Sequence, residues 1–319
     1  MAKEFVVGVD IGGQTSKIGV VDVHGEILAQ SVIRSDIYGS DASAYIEALA
    51  KAVEECIAAA GKTNDDIRGV GVGAPNGNYY TGDVAFAPNL AWAADSAVHL
   101  KAELSRALGG LPVTVTNDAN AAALGEMTYG AAKGMKDFIM ITLGTGVGSG
   151  IVIDGKVVYG HDGFAGELGH TTAVRNNGRM CGCGRAGCLE AYCSAMGIAR
   201  TAREWLAATD EPSLLRDLEN ITSKDIYDAA KKGDAFSLRV FEYTGTLLGR
   251  SFAEFIAFSA PEAIVLFGGL ARAKEFLFEP MQKAMNDNVL RIWKGKVKII
   301  FSSLKENDAA ILGASALAW

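Results

Sequence analysis

Cysteine is scarce in this 319-residue chain: five in all, four of them inside the single stretch RMCGCGRAGCLEAYCS (179–194). Long basic runs are missing and the net charge is −7, which argues against the electrostatic footprint of a general nucleic-acid binder. No uninterrupted apolar stretch reaches membrane-spanning length; ITLGTGVGSGIVI (141–153) is apolar but too short and too rich in glycine. The first residues, MAKEFVVGVDIGG, lack the layout of a secretory signal and run straight into a strand pattern. These absences predict a soluble, cytoplasmic protein with neither nucleic acid nor membrane as partner. In that compartment clustered cysteines are metal ligands or redox groups more often than disulfides. The solitary Cys56 falls in a helical pattern and reads as a small buried apolar residue.

The chain is 49% hydrophobic, enough for a large core, and its length suits two domains. Strands are expected at 5–10, 17–23 and 26–33, the last two joined by a turn at His24-Gly25. A helix over 41–60 has Asp41 as its cap and Gly61 as its stop. Strand 67–73 leads into a loop rich in Gly, Pro and Asn up to about residue 90. Strand 112–117 and an alanine-rich helix 119–130 follow, then strands 138–143 and 149–153 around a glycine run. Helix is expected from 189 to about 207 and from the apolar spacing over 234–259. Strand 263–267, a further helix, strand 297–301 and a small-residue helix 308–318 complete a mixed α/β chain. No low-complexity linker marks a boundary. We place the division near residue 117: 1–116 as the first α/β domain, 117–304 as the larger one, and 305–319 returning to the first.

Two segments resemble each other: VVGVDIGGQTSKIGVVDVHGEIL (6–28) and IMITLGTGVGSGIVIDGKVVYG (139–160). Each reads strand, glycine turn, strand, short Asp/Gly turn, strand. A glycine turn lets backbone N–H groups approach an anion closely, so two facing turns could hold one nucleotide's phosphates from both sides. A single copy could equally be a tight hairpin and nothing more. Neither G-x-x-x-x-G-K-[ST] nor a Rossmann fingerprint fits, since a strand rather than a helix follows LGTGVGSG.

DIGGQTSK (10–17), TNDANAAALGE (116–126), LGTGVGSG (143–150), ELGH (167–170), CGCGRAGCLEAYCS (181–194) and VLFGGLA (265–271) resemble, in order and over nearly the whole chain, the ROK family of sugar kinases and repressors. The resemblance implies a hexokinase/actin-like fold, two α/β domains of ribonuclease H-like type with ATP and a sugar in the cleft between them. It also implies a structural Zn²⁺ on His170, Cys181, Cys183 and Cys188, which gives the cysteine cluster a purpose. One imidazole and three thiolates form a closed four-coordinate zinc site, and glycines 182, 184 and 187 let the backbone fold around the ion. Cys193 lies outside the pattern and reads as core.

The resemblance makes Asp118 the catalytic base. At the carboxyl end of strand 112–117, it could accept the sugar hydroxyl's proton as that oxygen attacks the γ-phosphorus. Spacing alone would make it a helix cap. Asn117 beside it is implied to bond the sugar, though Asn is also a common cap. Glu167, His170 and Glu190, with Asn89 of APNLAW, complete the implied sugar pocket; Glu190 is also where a helix dipole would favour a carboxylate. Asp10 is an implied indirect Mg²⁺ ligand, and Gly12, Gly13, Gly144, Thr145 and Gly146 border the phosphates of ATP. Gly268 and Gly269 border the adenosine, or form a plain strand-to-helix turn. Two positions depart from the family: Gln14 stands where threonine is usual, and the usual G-x-P-G reads Gly-Ala-Pro-Asn at 73–76, followed by Gly77.

The expected activity is transfer of the γ-phosphoryl group of ATP to the 6-hydroxyl of glucose. N-acetylmannosamine, N-acetylglucosamine, fructose and allose are alternative acceptors. Relatives are often dimers, so a homodimer is expected. A sugar-responsive repressor would need a helix-turn-helix region ahead of the first glycine turn, and Asp10 leaves no room for it. A redox or metal-storage protein would leave both glycine hairpins and Asp118 unexplained.

Overall fold

The computed structural model describes residues 3–319. The first half runs β1 (Phe5–Ile11), β2 (Thr15–Asp22), β3 (Ile27–Arg34), α1 (Ala42–Ala59), β4 (Ile67–Gly73), a small hairpin of β5 (Val84–Ala85) and β6 (Ala97–Val98), α2 (Leu100–Ala107), β7 (Val113–Thr116) and α3 (Asp118–Thr128). The second half runs β8 (Phe138–Leu143), β9 (Val147–Ile153), β10 (Lys156–Val157), α4 (Glu190–Cys193), α5 (Ala195–Ala207), α6 (Ser223–Lys231), α7 (Ala235–Ser259), β11 (Ala263–Phe267), α8 (Lys274–Asn288), β12 (Lys298–Phe301) and α9 (Glu306–Ser315).

One sheet has the order β3-β2-β1-β4-β7 and the other β10-β9-β8-β11-β12. In each, the first three strands form an antiparallel meander and the last two run parallel to the central one. The internal repeat of the sequence is therefore a repeat of topology, the doubled ribonuclease H-like arrangement of the hexokinase/actin-like fold. Burial follows position. Central β1 is apolar on both faces because helices cover both, whereas edge strand β3 alternates between partly buried and exposed residues.

Each sheet has its own core. Val7, Val9, Ile18, Val70, Val72 and Val115 pack against Leu49, Val53 and Ile57 of α1; Ile139, Ile141, Ile264 and Leu266 pack against Phe241, Phe252 and Ile256 of α7. The last helix crosses back to the first sheet. It lies so close that a Cβ on Gly71 of β4 would stand 1.9 Å from the Ala314 carbonyl oxygen. α9 also packs on α3, so this helix pair lies between the two sheets. Among the described residues no helix is long and apolar enough to cross a membrane.

Several elements differ from expectation. The helix expected from 189 to 207 is broken at Ser194, which is extended (φ −83°, ψ 170°) and caps α5 through the Gly197 N–H at 3.0 Å. α3 begins at Asp118, and its cap is Asn117. Asp41 caps α1 as expected, accepting from the Ala44 N–H at 3.0 Å. α2, α6 and the β5–β6 hairpin had no sequence expectation, although α6 announces itself by a capping box between Thr222 and Asp225.

Candidate active site

A cavity of about 510 Å³ opens between the two sheets. Its floor is built where strands end: Asp10 near the end of β1, Asn117 and Asp118 after β7, Gly144, Thr145 and Gly146 after β8, and Phe267 and Gly268 at the end of β11. Carboxyl ends of strands are where open α/β sheets hold ligands, because helix N-termini converge there. Asn89, Glu167, His170 and Glu190 line the same cavity. Two positions expected at the phosphates, Gly12 and Gly13, and one expected at the adenosine, Gly269, do not line it. The N–H of Gly12 closes its own turn onto the Thr15 carbonyl at 2.9 Å, Gly13 lies against the backbone of Asn89, and Gly269 opens the short helical segment after β11.

Asn117 and Asp118 both accept from the Ala119 N–H at 2.8 Å. Asn117 thus caps the helix while Asp118 occupies its first turn. Asp118 is reachable from the cavity yet enclosed by protein on its other sides, and this burial raises its pKa; bonds from backbone N–H groups oppose the rise. Asp10 is pushed up to about 6, first by burial, then by the charge of Asp118, with Lys17 opposing. Burial also raises Glu167, with His170 opposing and Asp118 and Glu190 adding to the rise. Asp118 thus raises both Asp10 and Glu167, and acids gathered on one cavity create a field that favours a cation.

Glu190 braces the second glycine turn: its Oε2 accepts from the Val147 N–H at 2.9 Å, while its Oε1 lies 3.5 Å from Cys181 Sγ. The Ala195 N–H at the start of α5 donates to the Gly144 carbonyl at 2.8 Å. The break at Ser194 thereby fixes the loop that follows β8.

The ligand atoms of His170, Cys181, Cys183 and Cys188 all lie within 4.8 Å of one another. Cys183 and Cys188 Sγ are 3.6 Å apart, and Cys181 Sγ is 3.8 Å from His170 Nδ1. A tetrahedral zinc with bonds of about 2.3 Å to sulfur separates its sulfurs by about 3.8 Å. These four side chains therefore fit such an ion. Their loop is a tight hairpin, with the Cys181 N–H on the Arg185 carbonyl and the Gly187 N–H on the Arg179 carbonyl, both at 2.8 Å. Cys193 and Cys56 are buried apart from it.

One lining residue, Glu126, and two contacts between the halves of the chain had no sequence expectation. Glu126, buried on α3, accepts from the Ala131 N–H at 2.7 Å and from the Ser302 hydroxyl. Joining the first half of the chain to the second, Tyr79 stacks on Tyr159 at 4.0 Å, and Asn78 Nδ2 donates to the Asp162 carbonyl at 2.6 Å. Glu126 closes the motif TNDANAAALGE and could have been found there; the Tyr79 and Asn78 contacts join residues some eighty positions apart and left no local signal.

A doubled ribonuclease H-like fold, with acids and strand-end glycine turns facing one interdomain cavity, defines the hexokinase/actin-like class. The ROK family profile matches residues 6–319, and the chain belongs to that family. It is 37% identical over 318 residues to a glucokinase of Halalkalibacterium halodurans, covering 98% of this chain and 94% of the relative. With a glucokinase of Thermotoga maritima the identity is 36% over 323 residues, covering 99% and 98%. Among solved structures it is similar to a ROK family glucokinase from Streptomyces griseus in complex with glucose and AMPPNP, with a TM-score of 0.78, 34% identity and 98% of each chain covered.

Proposed function

We propose that this protein is an ATP-dependent glucose kinase, transferring the γ-phosphoryl group to the 6-hydroxyl. The observation that carries the reading is the position of Asp118, at the first turn of α3 in a cavity that also holds a glycine turn and a set of sugar-type side chains. The likeness to glucokinases over nearly the full length supports glucose as the acceptor.

In this reading glucose lies among Asn89, Asn117, Glu167, His170 and Glu190. Carboxylates and amides match a ring of hydroxyls because each can take part in paired hydrogen bonds. The nucleotide lies toward Gly144–Gly146 and Gly268. Asp118 accepts the proton of O6 as O6 attacks the γ-phosphorus, the bond to the bridging oxygen breaks, and ADP leaves. Its raised pKa makes it a better acceptor than an ordinary aspartate. Mg²⁺ bound with the nucleotide would neutralise phosphate charge, and Asp10 is the carboxylate placed to hold it through water. Zn²⁺ on His170, Cys181, Cys183 and Cys188 would be structural, fixing the ring of His170 and the loop that leads into Glu190.

The test is a coupled ADP-release assay with Mg²⁺ and ATP against glucose, mannose, fructose, allose, N-acetylglucosamine and N-acetylmannosamine. A kcat/KM highest for glucose is expected. A preference for an acetamido sugar would keep the mechanism and overturn the acceptor. Silence across the panel would overturn the reading.

A further inference from the structure

Residue 76, a glycine in the usual family pattern, has φ 53° here. This left-handed conformation suits glycine, and asparagine tolerates it better than most residues. Ten positions on, Phe86 has φ 50° and is 64% exposed, an unfavoured backbone for a bulky residue. The two are joined directly. Asn76 Nδ2 donates to the Ala85 carbonyl at 3.1 Å and to the Phe86 carbonyl at 2.8 Å.

The bend so held leads straight to the cavity. The Leu90 N–H closes a turn onto the Ala87 carbonyl at 2.9 Å, and the Ala87 N–H bonds the Ala93 carbonyl at 3.0 Å. Within that turn is Asn89, whose backbone rests on Gly13: a Cβ there would stand 2.8 Å from the Asn89 carbonyl oxygen. On its other side, Trp92 stacks on Tyr45 at 4.6 Å. The segment is thus pinned at Gly13, at Tyr45 and at the amide of Asn76. Gly13 bears on Asn89 itself and Tyr45 holds the far end; at the bend before Asn89 the carbonyls of Ala85 and Phe86 are held by the Asn76 amide, beside the Ala85–Ala97 strand pairing and the Ala87–Ala93 bond.

We propose that Asn76 is a positioning residue for the sugar: its amide clamps the strained bend at 85–86 and so sets where Asn89 meets the acceptor. The inference rests on the hexose-kinase reading above. Glycine at 76 would keep the backbone conformation and delete both bonds. The bend would then relax, because strained backbone persists only where its surroundings over-determine it. Sugar binding should suffer, while Asp118 and the nucleotide turns, built on other elements, should not.

The experiment compares the unmodified protein with Asn76→Gly and Asn76→Asp. Aspartate tolerates the same backbone but cannot donate, and its charge opposes both carbonyls. Glucose KM is expected to rise about 5- to 20-fold in Asn76→Gly, and at least as much in Asn76→Asp, with kcat and the KM for ATP within about twofold. Glucose KM within twofold of the unmodified protein in both variants overturns the proposal. So does an equal rise in the KM for ATP, which would mark general loosening, or a fall in kcat alone, which would place Asn76 in the chemistry. Calorimetric titration with glucose, without nucleotide, separates the two levels. If the unmodified protein binds glucose but transfers no phosphoryl group, the kinase reading fails, and equal affinities across the three proteins would then overturn the role of Asn76 by themselves. No binding to the unmodified protein overturns both.

Discussion

Replacing Asp10 by asparagine should make the free protein more stable at pH 8 and no more stable at pH 4. Its carboxyl is held at about 6 rather than the ordinary 3.8 by burial and by the charge of Asp118. A raised carboxyl pKa means that the fold disfavours the ionised form. The penalty is absent below about pH 4, grows as pH rises toward 6 and is complete above it. The difference corresponds to at most about 3 kcal/mol, an upper figure because the carboxyl also meets cleft water. For 319 residues the unfolding entropy is about 0.7 kcal/mol per degree, so Asp10→Asn should melt up to about 4 °C higher at pH 8. Differential scanning calorimetry of both proteins at the two pH values, without metal or nucleotide, measures this. Adding Mg²⁺ and ATP should reverse the order, since the ionised carboxylate then has a cation to face. A gap of equal size at both pH values, or none at pH 8, would refute the assignment of Asp10 as a strained anion.

Asp118→Asn should bind glucose nearly normally and lose at least about 10²-fold in kcat; near-normal turnover would remove Asp118 as the base. Cys183→Ser should purify with less zinc than the unmodified protein and melt earlier. Finding no zinc in the unmodified protein by elemental analysis would end the structural-metal reading. Tyr79→Ala deletes a stack worth about 1 kcal/mol between the two halves of the chain, so hydrogen exchange over 159–163 should quicken about fivefold. Unchanged protection there would show that the stack does not hold that segment.

Much of the fold could be read from local pattern, because strands such as β1 and β8 are short apolar runs ended by glycine, and each turn chemistry stands beside its strand. What resisted was set by contacts distant in sequence. The break at Ser194 falls inside one continuous helical pattern; there the Ser194 hydroxyl caps α5 and the Ala195 N–H reaches Gly144, a contact distant in sequence. β5 and β6 are two residues each and owe their pairing to the loop around them. In the cavity, residues at strand ends were legible since position alone places them. Gly12 and Gly13 were not: the sequence says that a backbone can approach closely there, but not whose, and at Gly13 it is the backbone of Asn89. Asn76 looked like a flaw in a glycine pattern until its amide was seen to occupy the bend.

The return of α9 to the first sheet has a consequence for how the protein is made. The strip of β1 and β4 that carries Gly8 and Gly71 is covered by residues 311–315, some three hundred positions after Gly8 and about 240 after Gly71. At about 5–20 residues per second, a ribosome leaves that strip bare for tens of seconds after β1 has emerged. The first half of the chain can collapse around α1 early, but it stays an unfinished, sticky intermediate until the last helix leaves the exit tunnel. Chaperone dependence and aggregation during expression should therefore track the delivery of α9 more closely than the folding of either sheet.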